Sequence, residues 1–244
     1  MPERSAVEKA ILAALERDPA VNLHRYPIRV EYDLVGRTVS LSGEVETLAA
    51  KKRAYVIASQ ADGVEGVIDR IRLAATPARG DGAIRDEVVQ ALVGEPAFRD
   101  AAIYVHNKGG IGRIREAQSW PKDLIEIAVG EGVVTLTGHV QSLSHKRLAG
   151  ALAWWVPGVR DVLNELRVEP PEEDNDDEIA DALRIVLEKD PLVPHADDIA
   201  IRVHRRVVTL SGAVPSEAAR RRIEQDAWGL FGVEAVVNQI QIRP

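Results

Sequence analysis

Three clusters of basic residues draw attention first, because each is followed at one fixed distance by a residue that could act beside it. The pairs Lys51-Lys52, Lys146-Arg147 and Arg220-Arg221 are extended by Arg53 and Arg222. Seven residues past Lys52, Arg147 and Arg221 stand Ser59, Trp154 and Trp228. Seven residues is nearly two helical turns, so each cation and its follower share one face of a helix. Cationic side chains attract anionic headgroups, and tryptophan favours headgroup depth in a bilayer, so this face reads as a surface for anionic phospholipid. The competing reading is that the cations solubilise a helix while each tryptophan packs against a neighbouring module or the extra segment of the chain described below.

Other reactive residue types form no comparable pattern. His24, His106, His139, His145, His195 and His204 are scattered, with neither H-E-x-x-H spacing nor a Ser/His/Asp set. There is no cysteine, which excludes disulfides, thiolate metal sites and thiol nucleophiles. The acidic run Glu172, Glu173, Asp174, Asp176, Asp177 and Glu178 is not a calcium loop of the EF-hand kind. Counting from Asp174 puts Ile179 where the turn glycine must be. It reads as a solvated linker whose last acids suit a helix N-terminus. Gly109-Gly-Ile-Gly112-Arg-Ile-Arg115 sets glycines beside arginines, as phosphate cradles do, but lacks G-x-x-x-x-G-K-[ST] and reads as a flexible surface loop. These residues imply no catalytic centre, cofactor or metal ligand, and the chain reads as non-enzymatic. Aromatics make up 4% of it, too few for a stacking groove, which argues against single-stranded nucleic acid.

The elements that carry these residues recur three times. Leu41-Ser-Gly-Glu-Val45, Leu136-Thr-Gly-His-Val140 and Leu210-Ser-Gly-Ala-Val214 mark the copies. Twenty residues after each marker glycine come Gly63-Val64, Gly158-Val159 and Gly232-Val233, and six further on Asp69, Asn164 and Asn238. Before each marker, Val7, Ile11 and Leu15, then Ile84, Val88 and Leu92, then Ile179, Leu183 and Leu187 have helical spacing, and Pro19, Pro96 and Pro191 close those helices. Alternation predicts a hairpin next, through Ile28–Tyr32, Ile125–Val129 or Ile199–Val203 and then Val39–Leu41, Val134–Leu136 or Val208–Leu210. Thr47, Ser142 and Ser216 suit the N-cap of a second helix, whose small-residue face (Ala50, Ala54, Ala58 in copy one) faces the sheet. On that wheel Lys52, Arg147 and Arg221 point away from the core. A third strand ends each copy, so the fold is α+β: three tandem αββαβ modules, each a three-stranded sheet with two helices on one face.

This pattern resembles the BON family, bacterial modules found in osmotically induced periplasmic proteins and some secretion-associated proteins. The resemblance rests on V-x-L-x-G-x-V, the spaced Gly-Val and the closing V-x-N-x-[IL]-x-[VIL]. Copy one departs with Asp69 in place of asparagine. Copy two departs with 42 residues from Pro96 to Gly138, against 24 and 21 in the others, the extra segment lying near 107–121. The expected modules are 1–75, 80–169 and 176–244, joined by Ala75–Gly82 and Glu169–Asp177.

The resemblance implies a binding or scaffolding role at an envelope-related surface, with anionic phospholipid or an envelope protein as partner. Some cytoplasmic relatives bind potassium, which leaves a soluble ion or small-ligand sensor as the alternative. A homo-oligomer with Trp154 and Trp228 in its contacts is a third. The net charge of −7 is concentrated after residue 170, where 15 acids face 9 bases, while residues 1–77 hold 11 of each. No apolar run approaches the ~20 residues that span a bilayer, and the first residues lack a signal h-region. The expected location is the cytoplasm, peripheral to the inner membrane, or the periplasm if a signal peptide has been removed.

Overall fold

The computed structural model describes residues 4–74, 79–116, 123–193 and 195–243. The chain divides into two compact units, Met1–Ala74 and Ala75–Pro244. The first is one module: α1 (Arg4–Arg17), β1 (Ile28–Asp33), β2 (Thr38–Val45), α2 (Leu48–Ser59) and β3 (Gly66–Leu73). β1 pairs antiparallel with β2, which pairs parallel with β3. Val7, Ile11 and Leu15 of α1 and Ala50, Ala54 and Ala58 of α2 form one core with Val30, Val39, Leu41 and Ile71 of the sheet. Alanines on α2 let its backbone lie close to the strands.

The second unit holds modules 2 and 3. Module 2 comprises α3 (Asp81–Gly94), β4 (Ala102–Asn107), β5 (Gly110–Arg115), β6 (Leu124–Gly130), β7 (Val133–Val140), α4 (Leu143–Trp154), β8 (Asp161–Asn164) and β9 (Arg167–Val168). Module 3 comprises α5 (Asp176–Lys189), β10 (Ala200–His204), β11 (Val207–Val214), α6 (Glu217–Gly229) and β12 (Ala235–Ile242). Its sheet, β10-β11-β12, repeats that of the first unit.

Module 2 differs in its extra segment. Gly109–Arg115 is not a flexible loop: β4 and β5 form a hairpin, and β4 pairs parallel with β6, giving the order β5-β4-β6-β7-β8. Ile103 and Val105 point into the core, as strand alternation requires. Arg115 does not await a phosphate. Its guanidinium donates to the carbonyls of Ala101 (3.0 Å), Val93 (3.3 Å) and Phe98, tying the hairpin to the end of α3. Trp120 and Pro121, at the end of the extra segment, lie outside the described residues.

The local signals act as their chemistry dictates. Thr47, Ser142 and Ser216 accept from the N–H groups of Ala50, His145 and Ala219 at 3.1, 3.1 and 3.2 Å. Gly138 has φ +113°, and a Cβ there would lie 2.1 Å from the carbonyl oxygen of Leu124 on the paired strand. Only glycine permits that approach.

The acidic run is solvated only in part: Glu172, Glu173 and Asp177 are exposed and Asp176, Asp177 and Glu178 fill the first turn of α5 as expected, but three of its acids also make specific contacts. Glu172 accepts from the N–H of Leu143 at 2.7 Å, at the start of α4. Asn175 caps α5, and Asp176 accepts from the N–H groups of Arg205 and Arg206 at 2.7 and 2.9 Å. Asp81 makes the matching bonds to Glu131 and Gly132 in module 2. Those amides sit in tight hairpin turns, and a carboxylate on the first helix is the nearest acceptor for both.

Candidate functional site: the face of the second helix

The basic clusters fall at one repeat position yet have different surroundings. Lys51 is buried, and its Nζ donates to the carbonyl of Ile71 at 2.7 Å and lies 2.8 Å from Asp69. This explains the departure at Asp69. In the other copies Asn164 and Asn238 donate from Nδ2 to the carbonyls of Lys146 (2.7 Å) and Arg220 (3.4 Å), pinning the second helix to the third strand. Aspartate cannot donate, so in copy one the lysine supplies the proton.

Arg53 pairs with Asp18 at 2.8 Å, and Arg222 pairs with Asp190 in the same repeat position, each joining the second helix to the end of the first. Module 2 breaks this rule. Leu148 stands at the arginine position and is buried, and the freed acid, Glu95, instead meets Lys189 of module 3 at 2.6 Å. A bond that holds one module together elsewhere here links two modules.

α4 packs against α5 and α6, and the buried apolar residues of modules 2 and 3 form one continuous core. Arg147 lies at this junction with its side chain 0% exposed. Its Nε donates to the carbonyl of Phe231 at 3.0 Å and its Nη2 to Asp174 at 2.5 Å. Lys146 lies over the Phe231 ring at 4.8 Å, and burial lowers its pKa, reinforced by Arg147 and opposed by Asp174. Trp154 is half-buried against the same core, and Trp228 is 5% exposed with no partner for its indole N–H among the described residues. Arg220 and Arg221 pair with Glu217 at 3.2 and 2.9 Å, and the Arg221 side chain is 73% exposed. Lys52 is half-buried.

The structure corrects the outward placement of Arg147 and Trp228, and it buries Lys51, a further candidate for the anionic surface. The helical wheel gives the direction away from a module's own sheet. In module 2 that direction leads into module 3, so the residue farthest from one core is inside a junction. Of the ten candidate positions, Arg221 alone is exposed.

Sequence reasoning missed the polar centre of the junction. The Trp155 indole donates to Asp226 Oδ1 at 2.8 Å, and the Arg222 guanidinium lies over the Trp155 ring at 5.6 Å. Burial pushes the Asp226 carboxyl up to about 8, with nearby Asp190 adding to the rise while Arg222 and Trp155 oppose it. Asp226 Oδ2 is buried and meets no hydrogen-bond partner among the described residues. Aligning the copies gives one usable signal: Asp226 occupies the position of Ile57 and Leu152. An acid at a core-facing apolar position calls for a special partner.

Among the described residues there is no cluster of His, Asp or Glu suited to a metal ion. No described helix is long and apolar enough to cross a membrane. What the arrangement does chemically is hold modules together, through a buried guanidinium, two cross-module carboxylate contacts and an indole.

Comparison with known proteins follows the same threefold division. A family model described as the BON domain matches residues 4–75, 112–170 and 175–244. The middle match leaves out α3, which the β4–β5 hairpin separates from the rest of its module. Osmotically-inducible protein Y of Escherichia coli (strain K12) is 30% identical over 125 residues, 49% of this chain and 62% of that protein. The chain thus matches less than two thirds of that relative's length. Among solved structures, the C-terminal domain of CdsD, a structural protein of the type III secretion system of Chlamydia trachomatis, aligns at 14% identity and a TM-score of 0.24, covering 100% of both chains. The matched segments take up most of the sequence and fall one in each internal copy, so the chain belongs to the BON-domain family.

Proposed function

We propose that this chain is a non-enzymatic scaffolding and binding protein in which modules 2 and 3 act as one fixed body. The observation that carries this is the full burial of Arg147 between Asp174 and the Phe231 carbonyl. A cation meant for a lipid headgroup must reach solvent, whereas this one is used to join modules. Anionic phospholipid, the ligand suggested by the basic clusters, loses support because Arg147 and Trp228 are enclosed. The likeness to an osmotically inducible protein supports a role under osmotic stress.

Vesicle flotation combined with tryptophan emission tests this. All four tryptophans follow residue 119, so the signal reports the second unit. The scaffold reading expects emission already shifted to the blue in lipid-free buffer and unchanged by anionic vesicles at low salt. Flotation that falls with salt, accompanied by a further blue shift, would overturn it, because charge attraction is screened over ~8 Å at physiological ionic strength.

A further inference from the structure

The junction of modules 2 and 3 encloses more acid than base. Asp226 and Asp190 are 4% and 3% exposed and share one guanidinium, that of Arg222. Arg222 Nε donates to Asp190 Oδ2 and lies 3.7 Å from Asp226 Oδ1. Asp190 has donors on both oxygens, since the N–H of Leu192 reaches its Oδ1 at 2.9 Å. Asp226 has the Trp155 indole on Oδ1 and nothing on Oδ2 among the described residues. Two carboxylates around one cation leave a buried negative charge unpaired, and a proton removes it most readily at the oxygen that has no donor. The proton therefore belongs to Asp226, whose carboxyl burial pushes up to about 8. The other charged groups around it have partners or face solvent. On α6, Arg220 and Arg221 pair with Glu217, and Glu224 accepts from Asn238. On α5, Arg184 pairs with Asp181, Glu188 is exposed and Lys189 is held by Glu95. On α4, His145, Lys146 and Arg147 stand at least eight residues before Trp155, roughly 12 Å along the helix. The buried sheet residues Val208, Leu210 and Ile240 are apolar.

Once Asp226 is charged, water must reach it, and the two sides of the junction differ in what that requires. On one side α6 is anchored to its own sheet through Ile223, Ala227 and Leu230, each 0% exposed. On the other, Asp226 meets the Trp155 indole at the end of α4, which belongs to the neighbouring module. Lifting that end of α4 from α6 admits water without unpicking a module. Module 3 has the same five elements from which module 1 builds a compact unit, with Ile57 where Asp226 stands. Opening also releases the linker, because Glu172 and Asp174 are bonded to Leu143 and Arg147 of module 2.

We propose that the junction of modules 2 and 3 is a proton-operated latch, closed while Asp226 carries a proton and opened, with both modules still folded, when that proton leaves. This goes beyond the scaffold reading and rests on the docking which that reading describes. Limited proteolysis of the full chain with a glutamate-specific protease tests it. Cleavage after Glu172 or Glu173 is followed from pH 5.5 to 8.5, with far-ultraviolet circular dichroism alongside. Cleavage of a transiently opened form follows the population of that form. An exposed aspartate releases its proton near pH 4 and the enclosed Asp226 near 8, so between them each pH unit favours the open junction by roughly tenfold. Asp226→Asn keeps an oxygen for the Trp155 indole without the charge. The wild-type cleavage rate divided by that of Asp226→Asn should rise by up to roughly tenfold per pH unit, levelling above about pH 8. Asp226→Leu, which installs the residue that module 2 has at this position, should give the same ratio and decides if Asp226→Asn does not fold. A ratio that stays flat while the linker is protected overturns the latch and leaves the docking standing. A linker cut equally fast in wild type and both variants at pH 5.5 overturns the docking and the latch together. A ratio that rises in step with loss of helical signal also overturns the latch, because the proton then holds the fold instead of the junction.

Discussion

Arg147 and Arg221 occupy one position of the repeat, yet they should respond in opposite ways to the same change. Arg147→Ala leaves the Phe231 carbonyl without its donor, strands Asp174 and opens space at a junction where the side chain is 0% exposed. Breaking a buried ion pair by removing one partner costs about 3–5 kcal/mol. Here Asp174 is 20% exposed and has Arg206 at 3.6 Å, which relieves part of the stranded charge. The lost carbonyl bond returns about 1 kcal/mol to the cost, so a value of about 3–4 kcal/mol follows. For a unit of this size each kcal/mol moves the melting temperature by ~2–4 °C, giving a fall of roughly 10 °C. Arg147→Glu should be worse, since it sets a carboxylate against both Asp174 and a carbonyl oxygen. Arg221→Glu removes an exposed pair with Glu217 and should change stability by no more than ~0.5 kcal/mol. Thermal melts followed by near-ultraviolet circular dichroism, which reads the tryptophans of the second unit, compare the two directly. If Arg147→Glu melts within error of Arg221→Glu, the buried junction is wrong.

Two further outcomes follow from the same geometry. Asp226 holds its proton in the folded chain up to about pH 8, while the unfolded chain releases it near pH 4; the stabilisation is therefore complete below about 4 and is lost as pH rises through the folded value. Urea titrations between pH 5 and 8.5 should show wild type losing stability relative to Asp226→Asn, by a few kcal/mol at most at ~1.4 kcal/mol per pH unit, and parallel curves would contradict the buried acid. Gly138→Ala should cost about 3 kcal/mol, since its Cβ would lie 2.1 Å from the Leu124 oxygen at φ +113°, whereas Gly82→Ala in α3, with nothing within 4 Å, should gain up to ~1 kcal/mol; equal melting temperatures would remove the steric account.

The sequence alone determined what depends on local periodicity and on residues close along the chain. Alternation in Val39 and Leu41, helical spacing in Val7, Ile11 and Leu15, hydroxyls at Thr47, Ser142 and Ser216, and glycine at the three markers each encode a backbone geometry that forms wherever those residues stand. Because the encoding recurs three times, the modules and their family were legible without coordinates. The same local reading took Arg147 for a surface cation, since a helical wheel records distance from one core and is blind to a second layer. It placed the last acids after Pro171 at a helix start but missed the contacts of Glu172, Asp174 and Asp176, since their partners, Leu143, Arg147 and the Arg205-Arg206 turn, lie roughly thirty residues away along the chain. Only the tertiary structure decided that Leu148 frees Glu95 to reach Lys189, and that Trp155 meets Asp226 across the junction. Docking between modules depends on which side chains two separately folded surfaces bring within a few ångströms, and no spacing within one copy carries that information.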